Sequence, residues 1–196
     1  MNFEKHRHFL RARLFETFKR QDRALDDYRL ALQHDPQFFK AAVAIALIHV
    51  QREDYAQAEI FYREALRIKP GHADIIFNLG YVHDQQGRRE EAISCFREAV
   101  QLKPTLDRAW YGMGMAYAAL GRHDEAANAL EEASRLQPMN TYAWYALGMA
   151  HHRLNNPERV KEVALYLHRI GPLSCRQLVQ DTQRSDLQYL IKDMAV

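Results

Sequence analysis

The chain has 196 residues, 27 of them basic and 25 acidic, for a formal net charge of +2. No concentrated basic stripe accompanies that near-balance, which argues against a nucleic-acid binder, and a hydrophobic share of 47% is ordinary for a globular chain in water. Two cysteines, Cys95 and Cys175, are too few and too far apart for a disulfide framework or a zinc cluster, and they point to a reducing, cytoplasmic setting.

From the N-terminus onward the pattern is helical. The opening MNFEKHRHFLRARLF carries charges where a secretion signal needs an apolar stretch, so no signal peptide is expected. Lys5, Arg7, Arg11, Arg13, Lys19, Arg20 and Arg23 make this region locally basic, which reads as a solvated helix face. Apolar residues at i, i+3, i+4 and i+7 predict helix pairs near 5–34, 39–69, 73–103, 107–137 and 141–170. The longest apolar run, AAVAIALI at 41–48, is far short of the about 20 residues a bilayer crossing needs, so no membrane insertion is expected. The fourth pair opens with WYGMGMAYAALG, 110–121, twelve residues without a charge. Gly87 and Gly121 fall between helices, where a tight turn takes a left-handed residue. The fifth pair turns at Asn155-Asn156-Pro157. Beyond it, Ser185-Asp186-Leu187-Gln188 has the form of a capping box, and Leu187, Leu190, Ile191 and Met194 would share one apolar face.

A period underlies these elements. Pro36, Pro70, Pro104, Pro138 and Pro172 each follow the last by 34 residues. In phase with them run three columns of small residues: Ala12, Ala46, Gly80, Gly114 and Gly148; Ala24, Ala58, Ala92 and Ala126; Ala31, Ala65, Ala99 and Ala133. A large residue recurs between the last two columns, as Tyr28, Tyr62, Phe96 and Leu130. Small residues let helix axes approach, and a bulky neighbour fills the adjoining hole.

These columns, together with AWYGMGMAYAALGRHDEA at 109–126, AWYALGMAHHRL at 143–154 and FNLGYVHDQQGRREEAISCFREAVQLKP at 77–104, closely resemble the tetratricopeptide repeat (TPR), a 34-residue helix–turn–helix unit. The resemblance implies an all-α, right-handed solenoid of antiparallel helix pairs. Its five repeats would be 5–38, 39–72, 73–106, 107–140 and 141–174, with a C-terminal capping helix at 175–196. The first repeat departs from the family at His8, where a large apolar residue is usual. The fifth departs at its turn and at Val160 and Leu167, which stand in the alanine columns.

Chemistry is sparse by comparison. Gly112-Met113-Gly114 lacks the third glycine and the preceding strand of a dinucleotide fingerprint. Gly112 belongs to no column and costs about 1 kcal/mol against alanine in a helix. His49, His83 and His151 form one column, but equivalent helices lie roughly 10 Å apart, too far for one ion to join them. No metal site, cofactor or catalytic constellation is expected, and so no enzyme.

What remains is a surface. In the resembling family the concave groove is lined from the first helix of each unit, at the fifth and ninth positions and less often at the second, twelfth and thirteenth. That implies Phe9, Val43, Phe77, Tyr111 and Tyr145 at the fifth position, and Leu47, Tyr81, Met115 and Met149 at the ninth, where the first unit has Arg13. Arg108 joins them as a polar groove residue. Residues four apart face the same way on a helix. Asn78 and Arg108 alone do not make the carboxylate clamp of chaperone-binding relatives, and the asparagine ladder of the sugar-transferase type is missing. The apolar set suits a hydrophobic peptide or amphipathic helix of another protein. The rival reading is a self-assembling scaffold, a homo-oligomer built through the same groove or an exposed end.

Overall fold

A computed structural model describes residues 3–192. Met194 of the expected C-terminal apolar face lies outside the described residues. Among these residues every regular element is helical, and the chain divides into two compact units, Met1–Leu102 and Lys103–Val196.

The first unit holds three helix pairs: α1 (Phe3–Thr17) with α2 (Gln21–His34), α3 (Phe39–Gln51) with α4 (Tyr55–Ile68), and α5 (Ala73–Gln85) with α6 (Arg89–Leu102). The members of each pair pack on one another, α2 packs on α3, and α4 packs on α5. The second unit holds α7 (Asp107–Ala119), α8 (His123–Leu136), α9 (Thr141–Arg153), α10 (Pro157–Ile170) and α11 (Pro172–Asp181), followed by a 3-10 helix at Ser185–Leu190. Three-residue turns within each pair oblige its two helices to run antiparallel.

The small-residue columns are where the helices touch. Ala12, Ala24, Ala31, Ala46, Ala58 and Ala65 are wholly buried, and Tyr28 and Tyr62 fill the space between them. The glycines of the first column have no room for a side chain. A Cβ on Gly80 would stand 2.8 Å from the Phe96 ring, and one on Gly114 2.6 Å from Leu130 Cγ. The large residue thus occupies the hollow that the small one leaves.

Each first helix ends the same way. The second residue after it is left-handed: Lys19, Glu53, Gly87, Gly121 and Asn155, with φ between 53° and 76°. Its N–H donates to a carbonyl three residues back, and the next N–H to one five residues back, as in Gly87 to Asp84 and Arg88 to His83, both 2.9 Å. That is a Schellman closure, which satisfies carbonyls the helix end leaves over. Second helices then meet the proline turns. Trp110 and Trp144, one period apart, each donate from Nε1 to the carbonyl of the preceding Pro104 or Pro138 at 2.9 Å.

The C-terminal segment departs from its sequence expectation. The α-helix begins at Pro172, where a residue without an N–H loses nothing. It packs on α9 and α10. Ser185–Leu190 is a 3-10 helix, not an α-helix, and no side chain caps it. The capping box does not form, because Arg184 grips Asp186 through Nε and Nη2 (2.7 Å each) and donates from Nη1 to the Pro157 carbonyl. Leu187 and Leu190, three residues apart, bury together as a three-per-turn helix requires.

Candidate functional site: two apolar clefts

Each unit carries an apolar cleft on its first helices. In the first unit a hollow of about 560 Å³ is walled by Phe9 of α1, Val43, Ala44 and Leu47 of α3, and Ile75 of α5. Charges stand at its rim: Arg13, Glu16, Lys40 and Asp74. Tyr28 closes the back and donates its hydroxyl to Glu16. Burial first, and then the Glu16 carboxylate, push the Tyr28 phenol far above its usual range, so it stays protonated.

In the second unit a hollow of about 330 Å³ is walled by Tyr111 and Met115 of α7 and by Tyr142, Tyr145, Ala146 and Met149 of α9, with His123 and Arg153 beside them. Both volumes lie in the range of sites that take apolar side chains of a ligand. Tyr145 donates to Asp181 of α11 at 2.6 Å, and burial together with that carboxylate pushes its phenol up to about 12.

Seven of the ten sequence-predicted residues come together in this way: Phe9, Val43 and Leu47 in one cleft, and Tyr111, Met115, Tyr145 and Met149 in the other. Phe77 instead rests against Phe96, ring centroids 5.7 Å apart. Tyr81 is exposed and interacts with Tyr55. Arg108 is exposed and lines neither cleft. Lys40, Asp74 and Tyr142 were not among the predicted residues. All three stand at the second position of their units, and applying that position to every unit would have found them.

The histidine column is structural in its surroundings. His49 Nδ1 pairs with Asp54 at 3.1 Å, and its ring stacks on Phe61. One group among the described residues could hold a metal ion, and it lies elsewhere: Glu4, His8 and His34.

A tetratricopeptide-repeat family model matches residues 9–73, and the model of the middle TPR-like domain of cilia and flagella-associated protein 70 matches residues 49–137. The chain is a tetratricopeptide-repeat protein. Among curated proteins nothing matches this TPR chain. Solved structures do. YrrB, a TPR protein described as having an unusual peptide-binding site, is 24% identical, with 88% of this chain and 90% of that one covered and a TM-score of 0.75. MamA (residues 41 to the end) from Desulfovibrio magneticus RS-1 is 18% identical over 93% of this chain and 98% of that one, with a TM-score of 0.77. PilF of Pseudomonas aeruginosa is 20% identical over 97% and 93%, with a TM-score of 0.75. At these identities the likeness is one of fold. TPR proteins generally mediate contacts between proteins and are typically not enzymes. No helix among the described residues of this TPR protein is long and apolar enough to cross a membrane.

Proposed function

We propose that this TPR protein is a cytoplasmic, non-enzymatic adaptor that holds an apolar segment of a partner protein, a peptide or one face of an amphipathic helix, against its first-helix clefts. One observation carries the reading. Leu47, Tyr81 and Met115, at the same position of three successive repeats, are 40–41% exposed although apolar, on helices whose remaining large apolar residues are mostly covered. Exposed apolar surface that recurs in register is a docking feature, and methionine adapts to irregular partners. The peptide-binding site named for YrrB is in keeping with it. The cytoplasmic setting draws on Cys95 and Cys175, both free thiols.

A double substitution tests the cleft. Peptides are selected against the full chain from a displayed random library and titrated by fluorescence anisotropy. Those seated in the second-unit cleft should bind the Met115→Asn/Met149→Asn variant at least about a hundredfold more weakly. Each buried apolar side chain contributes roughly 1.5–3 kcal/mol, and about 1.4 kcal/mol is tenfold in affinity. The free variant should lose about 1 kcal/mol of stability, since Met115 is exposed and Met149 half-buried. Gly114→Leu is the contrast: its side chain would drive into Leu130 and destabilise the free protein by about 1–3 kcal/mol or more. If the asparagine pair melts as badly as Gly114→Leu, or if no selected peptide responds to it, the cleft reading fails.

The rival, self-association, has its own observation. Phe3, Leu10, Leu14 and Phe18 are 55–72% exposed. At 100° per residue they fall on one side of α1 and its end, opposite the buried His8 and Ala12. Light scattering at two concentrations separates the readings, since a mass that grows with concentration and falls with Leu10→Ser/Leu14→Ser marks self-association.

A further inference from the structure

We propose that Glu4, His8 and His34 form a binding site for a divalent transition ion of the zinc class. Their nearest ligand atoms, one from each residue, all lie within 4.8 Å of one another. Glu4 and His8 are one helical turn apart on α1, so they face the same way. His34 is the last residue of α2, brought alongside by the packing of the first helix pair. Two imidazoles and one carboxylate are a donor set that zinc takes with a fourth position left to water.

The buried histidine is already oriented for the task. His8 is 6% exposed, and its Nδ1 lies 3.1 Å from Asp27 Oδ1. Arg11 grips the same carboxylate through Nε and Nη2. A carboxylate held by a guanidinium accepts hydrogen bonds and does not donate them. Nδ1 is therefore taken up by Asp27, which leaves Nε2, on the side of Glu4, as the ring nitrogen that can face an ion. Carboxylate, histidine and metal in series is the recurring outer-partner arrangement of zinc sites, and it fixes the ring while raising its basicity.

Two adjustments complete the coordination. Zinc ligands stand about 2.0–2.2 Å from the ion, and hence roughly 3.3 Å from each other in tetrahedral geometry, so the group must close by up to about 1.5 Å. The accessible members can do this. Glu4 exchanges a surface ion pair with Arg7, worth about 0–1 kcal/mol, for the ion. The His34 ring now stacks on His8, 12° from parallel with centroids 5.4 Å apart. A lone pair lies in its ring plane, and near-parallel planes do not meet at one ion, so binding turns the exposed His34 ring out of this stack. The basic residues of the neighbourhood do not oppose the ion outright, because Arg11 is paired with Asp27 and Lys5 with Asp35.

Isothermal titration of the tag-free full chain with zinc chloride tests the site, with cobalt(II) absorption as a second measurement. The expected result is one zinc per chain, together with the ligand-field bands of four-coordinate cobalt. Glu4→Gln and His34→Gln should each weaken zinc at least as much as losing an outer partner does, roughly 10–100-fold, and abolish the cobalt bands. Circular dichroism in EDTA should show both variants as helical as the parent, since neither residue belongs to the core. His6→Gln, the exposed neighbouring histidine, should leave affinity unchanged. Absence of zinc uptake, equal affinity in either ligand variant, or an equal loss in His6→Gln would overturn the assignment.

Discussion

His83 and His151 occupy equivalent places near the ends of α5 and α9, where Tyr117 stands in α7 and His49 in α3. Among the described residues, His83 Nδ1 and both ring nitrogens of His151 are buried without a hydrogen-bond partner. Burial lowers the pKa of both rings, and the positive charges of Arg88 and Arg159 add to it. The folded state binds these protons less readily than the unfolded chain, whose histidines titrate near about 6.5. Stability is therefore complete above that pH and falls as pH drops through it toward the folded-state values. Denaturant titrations should give a more stable protein at pH 7.5 than at pH 5.5, a window above the range where carboxylates begin to protonate. Tyr117 is itself buried in this column, so a tyrosine ring is sterically at home there. His83→Tyr should reduce the pH dependence, and an unchanged slope would mean that other groups carry it. Side-chain environment of this kind was not legible in the sequence. The column was visible, but whether each ring would find a partner depended on neighbours such as Asp54, which His49 has and His83 lacks.

At the scale of the element, much of the fold could be read from the 34-residue period. Glycine marked two of the turns, Gly87 and Gly121, by residue type alone. Lys19, Glu53 and Asn155 take the same left-handed conformation in the same register, although lysine and glutamate give no such signal. The backbone closure is common to all five turns and overrides the residue found there. Left-handed geometry costs an ordinary L-residue about 1–2 kcal/mol, while glycine loses about 0.5–1 kcal/mol of chain entropy on folding. Glu53→Gly and Lys19→Gly should each stabilise the protein by about 0.5–1 kcal/mol in urea unfolding, and Gly121→Ala should destabilise it by a similar amount. If Glu53→Gly is neutral or harmful, its backbone is less costly than its φ of 58° implies. The C-terminal segment went the other way. Ser185 to Gln188 spelled a local helix start, but Arg184 takes Asp186 and Leu187 and Leu190 bury as a 3-10 pair. A four-residue motif cannot register a contact with the Pro157 carbonyl 27 residues away. The same limit hid one member of the Glu4–His8–His34 group: the first two are one turn apart in sequence, whereas His34 arrives only through pairing of α1 with α2.

At the scale of the whole molecule, a repeat protein is held together mainly by neighbour-to-neighbour contacts, so its terminal elements have disproportionate weight. In the second unit the last helix pair is covered by α11 and the 3-10 helix. We infer that this segment acts as the cap of the array, as the repeat pattern led us to expect. The Leu178 side chain fills the space over Gly148, where a Cβ would stand 2.7 Å from its Cδ2. Cys175 Sγ donates to the Ala164 carbonyl at 3.3 Å, and Cys175, Leu178, Val179 and Leu187 are fully buried. Removing residues 172–196 would strip this cover from Gly148 and Ala164 and open the neighbouring Leu147 and Val163, all buried in the full chain. Several side chains at roughly 1.5–3 kcal/mol each are involved, offset in part by the entropy that the deleted residues no longer lose. A net loss of at least about 2 kcal/mol is expected, which for a chain of this size lowers Tm by about 4–8 °C. Leu178→Ala isolates the contact without deleting chain and should cost about 2–5 kcal/mol, the range for a buried leucine. Should the truncated protein aggregate before a melting curve is obtained, that point variant still gives the answer by calorimetry. A truncated chain that melts with the parent, or a Leu178→Ala variant within about 0.5 kcal/mol of it, would show that the array stands without this segment.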